Sequence, residues 1–228
     1  MENKKLKAML KWQGLLWVVM WVFGTGDVFS QNLYFPHVAS NSSWETQIGL
    51  CNTGPEPVTG VFTAYNDSGE VHSALEAVTL PGNGRVQLTV GEIFIGSENI
   101  AYIVFESDTE QVTGYTRFYV ENHIRASVPA ATEQGSETVY IPHLTTSDNW
   151  WTGIGIVNTN DRRVDLDVEF NEGTTASVSL QPGAQEAFSI QTLVGQADSS
   201  DLKSAVVHGA SGILGLTLFG NKPGLDSH

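Results

Sequence analysis

Two histidines stand at matching points of the sequence and are the first candidates for chemistry. His37 follows Pro36, and His143 follows Pro142. A metal site needs several donor side chains around one point, but neither histidine has a cysteine, an aspartate or a second histidine at a ligand spacing. We therefore predict no metal site and no cofactor, and we expect each imidazole to form a hydrogen bond with a neighbouring loop.

Clusters of carboxylates are the second candidates. Asp165, Asp167 and Glu169 alternate with apolar residues, and residues two apart on a strand share a face. This alternation predicts a solvated acidic stripe on a strand whose other face is buried. The oxygen-rich turns at Asn66–Glu70 and Asp198–Asp201 leave calcium binding open, because such turns suit that ion but are common without it.

Catalytic motifs are not visible in the sequence. It contains no Gly-x-Ser-x-Gly nucleophile elbow, no phosphate-binding loop of the Walker type and no His-Glu-x-x-His helix. Scattered serine, histidine and aspartate residues could meet in space as a triad, which keeps a hydrolase as a minor alternative. We predict no catalytic residues and no enzymatic activity.

Two tryptophan-bearing segments match each other closely. Residues 44–53 carry a Trp-x-Thr-x-Ile-Gly-Leu-x-Asn-Thr pattern, and residues 150–159 repeat it with isoleucine in place of leucine. The period of two predicts that one set of residues in each strand faces the core. These are Trp44, Thr46, Ile48 and Leu50, and Trp150, Thr152, Ile154 and Ile156.

The opposite face of the second segment is the most specific candidate for binding. Trp151, Gly153 and Gly155 stand where the first segment has Glu45, Gln47 and Gly49. A second strand also has an apolar outer face, because Leu214, Leu216 and Leu218 lie on the face that is polar in a sheet with one solvated side. Because large bare apolar patches are rare on soluble monomers, the other half of the chain, a second chain or a ligand is expected to cover part of this face.

Two kinds of ligand fit these six residues. The leading hypothesis is a non-catalytic structural or interaction protein, an envelope or cell-surface adaptor that binds a protein partner, or itself, through the second half of the chain. The alternative is a carbohydrate-binding module, in which Trp151 stacks on a sugar. Polar side chains converging on Trp151 would favour a sugar, and leucines beside it would favour a protein.

The elements that position these residues form an internal repeat. Tyr34-Phe35-Pro36-His37 recurs as Tyr140-Ile141-Pro142-His143, and the Gly-x-Thr-x-Phe segment at 114–118 recurs at 215–219. Short stretches rich in β-branched and aromatic residues, separated by turn clusters, predict about seven strands per copy, with short helical turns near 91–95 and 191–194. No segment is long enough for a crossover helix, which favours two-sheet packing.

These motifs resemble a tandem β-sandwich module of exported bacterial proteins whose role is not characterised. The resemblance implies an all-β chain of two tandem immunoglobulin-like β-sandwiches and supplies no catalytic residues. We expect a signal peptide at 1–30, a first repeat at 31–131, a linker at 132–136 and a second repeat at 137–228. We also expect the edge of the strand that ends near residue 220 to stay unpaired, because the residues that follow include Pro223 and Gly224, which are poor strand formers.

The N-terminal segment predicts export. Residues 1–30 combine a basic start, an apolar run from Leu15 to Phe23 and small residues before Gln31, as a cleavable signal does. The run is too short to span a membrane comfortably, so we expect no span after cleavage, although an uncleaved anchor stays open. Periplasmic, cell-surface and secreted locations are all compatible with this signal.

Charge and cysteine content narrow the range of partners. The formal net charge is −14, and loss of residues 1–30 makes it more negative because they hold four lysines and two acids. An acidic protein is a poor match for nucleic acid. Cys51 is the only cysteine in the sequence, so no disulfide within the chain can form and hydrophobic packing must stabilise the fold.

Overall fold

The computed structural model describes residues 31–221, except for 122, 133–135, 148, 172 and 196–200. The predicted signal peptide and the terminal residues 222–228 lie outside this range. The described part is all-β, and every strand pairing in it is antiparallel. In the same residues, no helix is long and apolar enough to cross a membrane.

Residues 31–131, here named the first module, form two four-stranded sheets. Their strand orders are β1-β6-β3-β4 and β5-β2-β7-β8. Helix α1 (Val90–Ile93) and a 3₁₀ turn (Ser97–Asn99) lie between β5 and β6. The strands are β1 (Gln31–Phe35), β2 (Trp44–Asn52), β3 (Val58–Tyr65), β4 (Val71–Leu80), β5 (Arg85–Thr89), β6 (Tyr102–Ser107), β7 (Val112–Val120) and β8 (His123–Pro129).

The described residues from 137 to 221, here named the second module, repeat this topology. Their sheets have the orders β9-β14-β11-β12 and β13-β10-β15. Each strand matches one of the first module, helix α2 (Ile190–Val194) matches α1, and only β8 has no counterpart in the described residues. The strands are β9 (Thr138–Ile141), β10 (Trp150–Asn158), β11 (Val164–Phe170), β12 (Thr175–Leu180), β13 (Gln185–Ser189), β14 (Ala205–His208) and β15 (Ile213–Asn221).

The alternation of polar and apolar residues explains the faces of the strands. Along β11 the exposed Asp165, Asp167 and Glu169 alternate with buried apolar residues, as predicted. In β2, Ile48 and Leu50 are each 1% exposed, and Ile154 is also buried. Period-two patterning therefore identified the core faces of the central strands.

The buried threonine and asparagine of the repeated pattern fasten loops to the core. Thr152 Oγ1 accepts a hydrogen bond from Thr145 N–H (2.9 Å) and donates one to Thr145 C=O (2.8 Å). Asn158 Nδ2 donates to the carbonyls of Arg162 and Gln181 at 2.8 and 3.0 Å. Thr46 and Asn52 form the corresponding bonds in the first module. The pattern is thus structural, because these bonds satisfy buried backbone groups.

The first module has an aromatic core. The rings of Phe35, Phe62 and Phe105 are at most 1% exposed, with centroid distances of 6.2 Å between the first two and 4.9 Å between the last two. They lie between the two sheets together with Ile48 and Leu50 of β2. Contacts of this kind, at ring distances of about 4.5–7 Å, add to the stabilisation that burial itself provides.

The second module encloses a cavity of about 410 Å³ between its sheets. An empty apolar cavity costs about 24 cal/mol per Å³, so this volume would cost on the order of 10 kcal/mol, about the whole unfolding free energy of a domain. That figure is an upper bound, because the lining includes the exposed Tyr140 and Phe219 and the cavity therefore opens to the surface.

Candidate functional site: the crevice between the modules

Five of the six predicted binding residues lie together in a crevice between the two modules. The second module contributes Trp151, Gly153, Gly155, Leu216 and Leu218 to its lining. The volume of this intermodule crevice is about 340 Å³. Trp151, Gly153 and Gly155 lie on β10, and their ladder partners Gly220, Leu218 and Leu216 lie on β15, so the pairing of two adjacent strands assembles this wall.

The opposite wall comes from the first module, and sequence patterns did not predict it. His37, Ala39, Trp44 and Phe118 line this side. The His37 and Phe118 rings lie 5.8 Å apart. Phe118 is 1% exposed, whereas Trp44 is only half-buried. With Trp151 and Phe188 of the second module, five aromatic rings therefore border the crevice.

Leu214, the sixth predicted residue, lies outside the crevice in a buried cluster that joins the modules. It is 6% exposed and packs with Val157 of the second module against Tyr34, Tyr102 and Val104 of the first. Of the covers that the sequence left open, the other half of the chain therefore covers this part of the apolar face.

Polar contacts fix the relative position of the modules. The Tyr102 hydroxyl donates to the Gly183 carbonyl at 2.9 Å, and Gln185 N–H donates to the Asp67 carbonyl at 2.9 Å. Gly69 has φ +84°, and a side chain there would lie 2.5 Å from the Gly183 backbone. Glycine is therefore required at this close approach both for its conformation and for its size.

His37 connects the interface to the crevice. Its Nδ1 lies 3.2 Å from Gln185 Nε2, and an amide can donate this bond only to a neutral imidazole whose proton is on Nε2. Burial lowers the pKa of His37 below its usual value of 6.5. The expected hydrogen bond thus exists, but it reaches the other module. His143, its counterpart, is exposed and lies 5.0 Å from the Phe219 ring.

Trp151 lies flat on its own sheet. A Cβ at Gly220 would lie 2.9 Å from the Trp151 indole nitrogen, and one at Gly153 would lie 3.1 Å from the ring. The two glycines therefore make room for the indole. Its Nε1–H is buried without a hydrogen-bond partner, and an unpaired buried donor costs about 1–3 kcal/mol.

The prediction that Trp44 and Trp150 are core anchors was wrong. Trp150 is 40% exposed, and Trp44 is half-buried. Each is the first residue of its strand, whereas Thr46 and Thr152 two positions later are fully buried. The alternation gave the correct face further along each strand, but the core does not reach the strand ends.

The other candidates for chemistry are dispersed. In the described residues, no group of three or more histidine, cysteine, aspartate or glutamate side chains could hold a metal ion. At the turn 66–70, the Asn66 side-chain oxygen accepts hydrogen bonds from Glu70 N–H and the Ser68 hydroxyl, both at 2.8 Å. Most of the turn at 198–201 lies outside the described residues.

Comparisons with family models, with curated proteins and with solved structures found no match for this chain.

Proposed function

We propose that this chain is a non-catalytic, exported interaction protein that binds a protein partner through the intermodule crevice. The observation that carries this proposal is the lining around Trp151. Leu216 and Leu218 flank it on the second module, and Trp44 and Phe118 face it from the first. Buried aromatic and aliphatic anchors in a pocket are typical of the energetic centre of a protein interface.

The shape of the crevice suits one large side chain of a partner. Pockets that accept such groups have volumes of roughly 300–1,000 Å³ and mostly apolar walls. At about 340 Å³ the crevice lies at the lower end of that range. Apart from the indole N–H groups of its two tryptophans, the polar side chains among its described lining residues are those of His37 and Ser189. A sugar, whose hydroxyls need several converging polar groups, is therefore the weaker candidate.

We propose that each module is an immunoglobulin-like sandwich with a modified edge. In immunoglobulin domains strand B pairs with E, C with F, and F with G. The pairings of β1 with β6, β2 with β7 and β7 with β8 have the same pattern. The topology differs from that of immunoglobulin domains in strands β3 to β5. The hairpin of β3 and β4 extends the sheet of β1 and β6, and β5 then pairs with β2 in the other sheet.

Export fits this proposal. The basic and apolar segments of residues 1–30 provide the signal, and the strongly acidic composition favours solubility without favouring nucleic acid. The character of the crevice supports a non-catalytic role, since none of its described lining residues is acidic and His37 is the one titratable side chain among them.

The test compares three variants of residues 31–228 immobilised on resin and exposed to an extract of the native envelope. Leu218→Asp places a charge in the crevice, and Trp151→Ala removes its aromatic wall. Trp150→Ala is the matched control, because this exposed tryptophan lies outside the crevice lining. We expect wild type and the Trp150 variant to retain the same protein, and the two crevice variants to lose it.

The retained protein is then purified and titrated against each variant. Equal dissociation constants for wild type and Leu218→Asp would overturn the proposal. A glycan array is run in parallel, and glycan binding that is lost only in Trp151→Ala would favour the carbohydrate alternative. Sedimentation analysis of wild type and Leu218→Asp covers self-association.

A further inference from the structure

The cavity of the second module occupies a region that the first module fills with aromatic rings. Val168 pairs with Val207 in the second module as Phe62 pairs with Phe105 in the first. Ile141 stands at the position of Phe35 in the repeated segment. Three phenyl rings are thus replaced by one isoleucine and two valines, and all three smaller residues line the cavity.

The described residues of the second module refill this space only in part. Phe188, at the position of Leu88, lines the cavity, whereas Phe170, at the position of Ala64, packs beside Ala205 and Leu202 and does not line it. The buried apolar residues accordingly divide into two clusters, one around Ile141 and Phe170 and the other around Leu166 and Ile213. Since interiors are normally close-packed, a space of this size that opens to the surface is a candidate ligand site.

The entrance is the seam between β9 and β15. In the first module the corresponding seam is closed, because Ala130 N–H donates to Gly114 C=O at 2.9 Å and Tyr34 exchanges two backbone hydrogen bonds with Ala131. The described residues contain no such bridge between Gly215 and Tyr140. Tyr140 is 73% exposed and Phe219 is 54% exposed, and both line the cavity.

We propose that the second module binds a hydrocarbon-chain ligand, such as a fatty acid or a long-chain alcohol, between its two sheets. The apolar interior contributes aliphatic side chains from both sheets, including Ile154, Leu166 and Val178. Apolar cavities of this kind exclude water and take up apolar molecules. The polar end of the ligand lies at the mouth, beside the His143 imidazole and the Tyr140 hydroxyl.

The volume sets the length of the chain. A cavity of roughly 150 Å³ accommodates benzene with its six carbon atoms. Scaling to 410 Å³ gives a hydrocarbon of roughly 12–16 carbon atoms. Dodecanoate and dodecanol therefore serve as test ligands of matched length, and their different head groups show whether the mouth prefers a charged or a neutral end.

The experiment measures displacement of the uncharged fluorophore N-phenyl-1-naphthylamine from residues 31–228. Wild type is expected to enhance its fluorescence, and dodecanoate or dodecanol is expected to displace it. Val207→Phe restores the ring of the first module and fills the cavity, so probe affinity should fall roughly tenfold or more. Val207→Leu, a smaller change that folds more readily, should give an intermediate loss.

Two controls separate this site from others. Val207 lines the cavity and not the crevice, so a loss of probe affinity in Val207→Phe is independent of the proposed protein partner, and Trp150→Ala, at an exposed residue outside both linings, should leave probe affinity unchanged. Dodecanoate should raise the Tm of wild type, because a ligand that binds only the folded state stabilises it, and should raise that of Val207→Phe much less. The proposal would be overturned if wild type did not bind the probe. It would also be overturned if folded Val207→Leu and Val207→Phe bound the probe with the same affinity as wild type.

Discussion

Replacing Leu214 by alanine tests whether the apolar face of β15 is an internal contact between the modules. Leu214 is 6% exposed and lies in the cluster with Tyr34 and Tyr102 of the first module. The change removes three carbon atoms, worth about 0.8 kcal/mol each, or about 2.4 kcal/mol. The cavity that remains raises the loss to about 3–4 kcal/mol of unfolding free energy, within the range observed for buried leucines.

Urea unfolding of residues 31–228, followed by tryptophan fluorescence and far-ultraviolet circular dichroism, measures this loss. The matched control is Leu218→Ala on the same strand, where the half-buried side chain lies in the crevice and should cost only about 1 kcal/mol. If the two variants lose equal stability, or Leu214→Ala loses less than Leu218→Ala, the modules do not pack as described.

Two further substitutions test the packing and the protonation of the molecule. Thr152→Val leaves the N–H and C=O of Thr145 without their partner and should lower the free energy of unfolding in urea by about 2–4 kcal/mol. Thr59→Val, on an exposed strand face, should change it by less than about 0.5 kcal/mol. Similar losses in the two variants would contradict a structural role for the threonine of the repeated pattern. The pKa of His37 is lowered in the folded state, so this histidine binds a proton more readily in the unfolded chain as the pH falls below 6.5. The stability that it contributes is therefore fully present above pH 6.5 and is progressively lost below it. The decrease in Tm between neutral and mildly acidic pH should therefore be smaller in His37→Gln than in wild type. An equal decrease in both proteins would refute this origin.

The sequence was sufficient to predict the repeat and most of the strands, because both depend on local information. Alternation with a period of two identified the acidic stripe of β11, and turn clusters separated the strands correctly. The helical turns after β5 and β13 were also found close to their observed positions. These features follow from backbone geometry and from the burial of one strand face, which a single segment already encodes.

Contacts between segments were not predictable in the same way. Leu216 and Leu218 were recognised as an apolar face, but the pattern could not indicate that His37 and Phe118 would face them across a crevice. The relative position of the two modules depends on the apolar cluster around Leu214 and on a few hydrogen bonds, such as that from Tyr102 of β6 to Gly183. Such bonds have no signature in the sequence.

The cavity in the core of the second module was also not predicted, although the smaller residues that line it can be read from the sequence. Val168 lies 106 residues after Phe62, the spacing that also relates Ile141 to Phe35. The hairpins that follow β3 and β11 differ in length between the two copies, so this spacing fails beyond them. Val207 can therefore be matched with Phe105 only through the pairing of β11 with β14 and of β3 with β6.

Comparison of the two modules explains why the second is the one suited to binding. Tyr34 and Phe118 are 8% and 1% exposed, whereas their counterparts Tyr140 and Phe219 are 73% and 54% exposed. Tyr34 packs against Val157 and Leu214 of the second module, and Phe118 pairs with Ala126 of β8 and borders the crevice. In the described residues of the second module the seam at this position is open, and the smaller residues behind it create the space that a ligand can reach.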